Sequence, residues 1–253
     1  MLTLTQFILR LSFGMSLAMA WTPPRLVSSG YYRNNLYVLL GLNVLASLAA
    51  WMGLSQTPLP LWPPLTAAIL SYLGGVFWLY EAPRPGRAAL AAIAAVTLLG
   101  AWLAGGPGEP AAPVASLLWR LDPIGGGLVL GVTMAAMLLG HWYLNAPGMS
   151  LNPLKRLVLA MAIAVVLRGA LCAAGLAAEY AEAGPFGLER WLFLALRWLS
   201  GVFGAAAVTA LTWQTLKIPN TQSATGMLYV GVIVTFVGEL TSQLLSGESQ
   251  FPL

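Results

Sequence analysis

The chain has 253 residues, of which 58% are hydrophobic and only 8% are charged. A soluble globular protein carries about a quarter charged residues. Twelve basic and eight acidic side chains are therefore too few to cover the surface of a soluble protein of this length, so the composition excludes that class. It predicts an all-α, polytopic integral membrane protein, in contact with membrane lipids. The net charge of +4 would suggest a nucleic-acid partner in a soluble protein, but membrane topology explains it better and we predict no such partner.

Eight stretches are long and apolar enough to cross a membrane, which takes roughly 20 residues as a helix. In chain order the predicted spans are about 4–21, 35–53, 60–80, 87–104, 123–145, 155–178, 190–216 and 224–246. We therefore predict a single membrane domain over residues 1–253, built as a bundle of eight transmembrane helices. Ala18-Met19-Ala20 is similar to a signal cleavage site, but Arg10 interrupts the apolar run before it, so we interpret the first span as a retained helix.

The loop charges predict the orientation, because cytoplasmic loops carry an excess of lysine and arginine. Seven basic residues follow odd-numbered spans: Arg25, Arg33, Arg84, Arg87, Lys155, Arg156 and Lys217. The other side holds two basic residues and six acids: Arg120, Arg190, Glu109, Asp122, Glu179, Glu182, Glu189 and Glu248. We therefore predict that both termini lie outside, in a bacterial-type inner membrane or a plasma membrane.

Four charged residues fall inside predicted spans: Arg10, Arg168, Arg197 and Glu239. Each costs at least about 2.5–3.5 kcal/mol at the centre of a bilayer, so each should face protein or water and find a partner. With a rise of about 1.5 Å per residue, all four lie between the midplane and the outer end. We predict a contact between Arg197 and Glu239, which lie on consecutive antiparallel spans.

The last span presents polar residues at helical spacing, which predicts that this face points into the bundle. They are Thr235, Glu239, Ser242 or Gln243, and Ser246. Three arginines against one glutamate leave a guanidinium that needs another acceptor, such as a lipid phosphate or a quinone carbonyl. We assign Arg168, Arg197, Glu239 and Gln243 as candidate quinone- or lipid-binding residues. An ion pair that only fixes the packing of the helices explains the same charges equally well.

A second polar group is predicted at the inner face, where span five ends and span six begins. It contains His141, Asn145, Lys155 and Arg156. The group suits a docking surface or a lipid head-group site, and His141 suits proton exchange because the ordinary pKa of histidine is about 6.5. The alternative is a hydrogen-bonded structural histidine.

His141 is the only histidine and Cys172 the only cysteine of the chain. The chain alone therefore cannot hold a haem between two histidines or form an internal disulfide, and no motif for a metal site is present. No catalytic triad or acid pair can be assembled at one depth. An enzyme that works with its own side chains is thus disfavoured, whereas a subunit of an oxidoreductase complex stays open.

Two motifs in the last third of the chain resemble a known family. Leu196-Arg197-Trp198 in span seven, followed by Gly238-Glu239-Leu240 in the final span, resembles the membrane anchor subunit of the dimethyl-sulfoxide-reductase type, within the wider polysulfide-reductase-like group. Eight spans and a glycine-rich fifth span ending near Gly140 add to the likeness. The resemblance implies binding of menaquinone or ubiquinone and electron transfer to an iron–sulfur partner subunit. The chain departs from that group in lacking a histidine in its early spans.

Three functions are consistent with these observations. The first is a non-catalytic membrane subunit of a respiratory or redox complex that offers a quinone or lipid site, with partner subunits holding the electron carriers. The second is a transporter or flippase for an anionic or lipid-like solute, with Arg10, Arg168 and Arg197 as selectivity charges. The third is a structural or assembly subunit whose buried charges fix packing.

Overall fold

The structure is a computed structural model that describes residues 4–53, 60–105, 113–146, 148–184, 186–218 and 220–253. It is 85% helical, and the described residues contain no strand. The predicted all-α class is therefore confirmed. Glu109, predicted to lie on the outer side, is outside the described residues.

Nine α-helices follow one another in the described parts of the chain. They are α1 Leu4–Trp21, α2 Ser29–Trp51, α3 Trp62–Leu79, α4 Pro83–Ala104, α5 Pro113–Asn145, α6 Asn152–Ala183, α7 Leu188–Leu196, α8 Ala205–Thr215 and α9 Thr221–Ser246. A π-helical stretch, Arg197–Gly204, joins α7 to α8 and is called the π segment below. Together α7, the π segment and α8 form one helical stretch from Leu188 to Thr215.

Several helices begin at residues whose chemistry favours a helix start. Pro63, Pro83 and Pro153 lie in the first turns of α3, α4 and α6, where a missing N–H costs nothing because that group has no partner within the helix. At α9, the side chain of Asn220 accepts a hydrogen bond from the backbone N–H of Ser223 at 3.0 Å. This cap satisfies one of the free donors at the first turn.

Seven helical stretches in the described parts are long and apolar enough to cross a membrane, and α1 is not among them. The seven support an integral membrane protein; the eighth span and the orientation stay predictions. In α1, 14 of the 18 residues are buried against other helices. Protein rather than lipid therefore surrounds most of α1, and that allows it to carry buried polar residues such as Arg10 and Ser12.

The helices pack as two groups, α1 to α4 and α5 to α9, joined along the contact between α1 and α5. Glycines allow this contact to be close. A Cβ atom on Gly14 would clash with the backbone of Gly127, and one on Gly131 would clash with the backbone of Gly14 and Met15. Gly127 and Gly131 are four residues apart on one face of α5, the small-residue spacing that lets membrane helices approach each other.

The helix that holds span five begins before the predicted span. The span was predicted from 123, whereas α5 begins at Pro113 and contains Pro123 in its interior. The helix continues because a proline removes one hydrogen bond without ending a helix that tertiary contacts hold, and because Asp122 has partners inside the bundle.

We expect Gly131→Ala to lower the stability of the bundle by about 1–3 kcal/mol, the usual cost of overpacking a close contact. The added methyl group would force α1 away from α5. Gly41→Ala is the matched control, because a Cβ at Gly41 meets nothing within 4 Å and alanine favours a helix over glycine. Thermal unfolding in detergent measures both variants. A Gly131→Ala protein as stable as the Gly41→Ala protein would show that this contact is not tight.

Candidate functional site

Five charged side chains from different helical segments meet inside the bundle. We call Arg10, Asp122, Arg168, Arg197 and Glu239 the buried charge cluster; their side chains are at most 3% exposed. They come in turn from α1, α5, α6, the π segment and α9. All five lie toward the bundle end that holds residue 4 and residues 247–253, the predicted outer end.

Arg168 is the centre of the cluster, and all three of its guanidinium nitrogens are hydrogen-bonded. Nε and Nη2 donate to the two carboxylate oxygens of Glu239, each at 2.9 Å. Nη1 donates to Asp122 at 2.6 Å, and Nη2 also donates to the Ser242 hydroxyl at 3.0 Å. This planar, two-pronged pairing is the geometry in which arginine binds carboxylates most strongly. Arg168 therefore links α5, α6 and α9.

Arg10 and Arg197 are bound less completely. Arg10 Nη2 donates to Asp122 Oδ2 at 2.5 Å. Arg197 Nη2 donates to Glu239 Oε1 at 3.0 Å and contacts Cys172 Sγ at 3.0 Å. The Nε and Nη1 atoms of both arginines are buried and have no hydrogen-bond partner among the described residues. Each guanidinium thus retains two donor atoms aimed at no protein acceptor.

The predicted contact between Arg197 and Glu239 is confirmed, with an ion-pair distance of 3.0 Å. The predicted ratio of three arginines to one carboxylate is wrong. Asp122 was predicted to lie outside the membrane, yet it is 2% exposed and binds both Arg10 and Arg168. The cluster therefore holds three positive and two negative charges, an excess of one positive charge.

Glycines provide the space that the large guanidinium groups occupy. A Cβ atom on Gly126 would lie 2.5 Å from Glu239 Oε2 and 3.3 Å from Arg10 Nη1. A Cβ on Gly201 would clash with Arg197 Nη1 and with the Cα of Gly238. Arg197 and Gly201 both belong to the π segment, a rare form of helix that often occurs at functional sites. The π segment and α9 thus meet backbone to backbone beside the cluster.

The polar face predicted for the last span is confirmed. Glu239, Ser242, Gln243 and Ser246 are all at most 6% exposed, and Thr235 is fully buried. Gln243 differs from the others because both its side-chain nitrogen and its side-chain oxygen are buried without a hydrogen-bond partner in the described part of the chain. It lies one helical turn beyond Glu239, toward the predicted outer end.

The residues after α9 fold back over the predicted outer end of the cluster. Phe251 and Leu253 are 2% and 1% exposed. The Ser242 hydroxyl, which accepts a hydrogen bond from Arg168, donates one to the Leu253 carbonyl. Glu179 holds this segment by accepting from the backbone N–H groups of Gln250 and Phe251, at 3.0 and 3.1 Å. The C-terminal segment therefore separates the cluster from the predicted outer surface.

A cleft of about 460 Å³ opens beside this segment, between α7 and α9. Its lining residues are Gly187, Glu189, Arg190, Phe193, Leu244, Leu245 and Glu248. Phe193 lies one helical turn before Arg197, and Leu244 follows Gln243 directly. Two lining residues of the cleft therefore lie within one helical turn of Arg197 and Gln243 along their helices.

Among the described residues, no ion pair joins the four members of the predicted inner-face group, and the site stays a prediction. His141, Asn145 and Arg156 are exposed, and Lys155 is half-buried. The His141 Nδ1 atom lies 3.3 Å from the Tyr229 hydroxyl, a pairing that the sequence did not predict. None of the four forms an ion pair with a described carboxylate. Within the described residues there is also no group of three or more histidine, cysteine, aspartate or glutamate side chains arranged to hold a metal ion.

Asp122 is the cluster residue that the sequence reasoning missed. A signal for it was present, because three intramembrane arginines with one glutamate leave a guanidinium that needs another acceptor. Asp122 is the acid next to a predicted span start, and it was predicted to lie on the outer side.

We expect Arg168→Met to destabilise the protein by about 3–5 kcal/mol, because removing one partner of a buried ion pair leaves uncompensated charge. Asp122 and Glu239 would both lose their main donor. Arg168→Lys should lie between this variant and the wild type, since an ammonium keeps the charge but cannot bridge two carboxylates in the same plane. The control is Arg156→Met at an exposed position, expected within about 0.5 kcal/mol of wild type. An unfolding temperature that changes equally little in all three variants would contradict the central role of Arg168.

Comparison of the chain with known protein families, with curated proteins and with solved structures finds no match. The resemblance of the Arg197 and Glu239 motifs to the reductase anchor subunit therefore stays a prediction, and the function has to be argued from the geometry of the cluster.

Proposed function

We propose that the chain is a non-catalytic membrane subunit of a redox complex and that it binds the head group of a quinone at the buried charge cluster. The observation that carries the proposal is the set of buried donors that have no partner among the described residues. They are Nε and Nη1 of Arg10, Nε and Nη1 of Arg197, and the side-chain amide of Gln243. Buried polar groups in proteins are almost always hydrogen-bonded, so such a set next to an excess positive charge favours a bound acceptor.

The chemistry of a quinone fits these donors. Its ring carries two carbonyl oxygens, which accept hydrogen bonds, and hydrogen bonds from a charged donor are roughly twice as strong as neutral ones. In a site without water a guanidinium interacts with a carbonyl more strongly than it would in solution. In this proposal Arg10 and Arg197 orient the head group, Arg168 holds the carboxylates in place, and Glu239 is the nearest group for proton exchange.

In this proposal the isoprenoid chain of the quinone lies in the cleft between α7 and α9. Phe193, Leu244 and Leu245 give its wall an apolar surface, which suits the isoprenoid chain of menaquinone or ubiquinone. Leu244 is 47% exposed on the outside of the bundle, so the cleft opens sideways as well as outward. Partner subunits carrying iron–sulfur centres would exchange electrons with the bound quinone.

A transporter or flippase for an anionic or lipid-like solute is the second candidate. The excess positive charge of the cluster favours it, since an anion would neutralise that charge. A structural or assembly subunit is the third candidate, and the complete hydrogen bonding of Glu239 and Asp122 by arginines favours it.

Gln243→Leu tests the quinone proposal, because Gln243 makes no side-chain hydrogen bond within the described protein. We expect the variant to be at least as stable as wild type, since a buried unpaired amide is removed. We also expect it to lose about tenfold or more of its bound quinone, the effect of roughly one lost hydrogen bond to a buried group. Quinone extracted from the protein purified with its native partners gives the measurement.

Thr133→Val is the matched control, because the Thr133 hydroxyl is also buried without a partner but lies farther along α5, toward the predicted inner end. It should keep the quinone content of wild type. Equal content in wild type and Gln243→Leu would contradict the assigned contact. A second result would favour transport instead. Wild type would then contain no quinone, an added anionic solute would stabilise it, and Arg197→Gln would abolish that stabilisation.

A further inference from the structure

A cavity lined by arginines lies at the predicted inner end, at the opposite end of the bundle from the buried charge cluster. Its volume is about 560 Å³. It lies between the end of α1 with its following loop and the first turns of α4. Its lining residues are Ala20, Pro24, Arg25, Pro83, Arg84, Arg87, Ala88 and Ala91.

The charge at the wall of this cavity comes from three arginines. Arg25, Arg84 and Arg87 are exposed, and none of them forms an ion pair. Arg87 Nε donates to the Ala20 carbonyl at 3.1 Å, which positions its guanidinium at the wall of the cavity. Arg84 lies in the first turn of α4, whose N-terminal end adds partial positive charge. The mouth of the cavity is thus strongly positive.

The deeper part of the same cavity is apolar. Ala88 and Ala91 lie one and two turns into α4, and Ala20 lies in the last turn of α1. Ala88 and Ala91 are exposed on the lipid-facing side of their helix. The cavity therefore changes from three guanidiniums at the loop level to small apolar side chains at the membrane level. This order, from a charged surface to an apolar one, matches a phospholipid, whose charged head group lies above its acyl chains.

A second cavity of about 410 Å³ adjoins the first and shares Pro24, Arg25 and Pro83 with it. Ser28 and Ser29 add hydroxyl groups to its wall, and Glu81 adds a carboxylate. Glu81 is exposed and pairs with none of the three arginines. The second cavity gives room for the polar part of a head group beyond its phosphate.

We propose that these cavities bind the head group of an anionic phospholipid, with Arg25, Arg84 and Arg87 contacting its phosphate and the acyl chain lying on Ala88 and Ala91. Arginines between helices at the cytoplasmic side are a common basis for recognition of anionic lipids. The site is separate from the buried charge cluster and does not depend on the quinone proposal.

The full chain in nanodiscs of equal parts phosphatidylglycerol and phosphatidylcholine tests this site. Native mass spectrometry after mild release counts the lipids that stay bound. We expect wild type to retain phosphatidylglycerol preferentially. The preference should fall roughly fivefold for each arginine removed, in Arg84→Gln and then in the Arg84→Gln, Arg87→Gln double variant. Arg84→Gln alone breaks no hydrogen bond or ion pair found in the structure, so its folding should be unchanged.

The control removes the same charge from the same predicted end without touching the cavity. Arg33→Gln with Lys217→Gln should keep the lipid preference of wild type. An equal loss in this control would assign the preference to overall charge and overturn the site. Equal retention of both lipids by wild type would also overturn it. Displacement of the lipid by millimolar inorganic phosphate would show a site for the soluble anion instead.

Discussion

The pairing of Arg168 with Glu239 and Asp122 is the interaction on which the second helical group depends. Burying an ion costs several kcal/mol even after the protein relaxes, and only close, well-directed partners recover that cost. Arg168 meets this condition with hydrogen bonds of 2.6–3.0 Å from all three nitrogens. Since a guanidinium is planar and its donors point in fixed directions, α5, α6 and α9 must keep one depth and one rotation about their axes. Arg10 extends the same constraint to α1. Its ion pair with Asp122 links the two groups of helices, and the glycines of α1 and α5 let the same two groups pack closely.

In this bundle the positions of the buried charges depend on the positions of the glycines. A guanidinium is wide, and it fits between close-packed helices only where a neighbouring residue has no side chain. Gly126 lies beside Arg10 and Glu239, and Gly201 beside Arg197. Gly201 and Gly238 also let the π segment approach α9. The extra residue per turn of a π-helix shifts the side chains that follow it.

Hydropathy predicted most helices because lipid is a uniform solvent that requires long apolar stretches. Helical rise also predicted that Arg10, Arg168, Arg197 and Glu239 lie toward the same end of the bundle. Hydropathy and helical rise do not predict the burial of Asp122. Its burial depends on arginines 112 and 46 residues away in the chain, and no local pattern encodes such partners. The return of Phe251 and Leu253 into the bundle likewise depends on Glu179 of α6. The inner-face group stays a prediction, since its four residues are exposed or half-buried and no described ion pair joins them.

The two ends of the bundle differ in where their positive charges find partners. At the predicted outer end Arg10, Arg168, Arg190 and Arg197 each pair with a carboxylate of the same chain. At the predicted inner end seven basic residues accompany one acid, Glu81, and none of the seven forms an ion pair with a described carboxylate. Exposed charges need no fixed counter-charge, because ions of the solution also neutralise them. Under the lipid proposal, anionic phosphates at that depth neutralise the predicted inner end, whereas the predicted outer end neutralises most of its own charge within the protein.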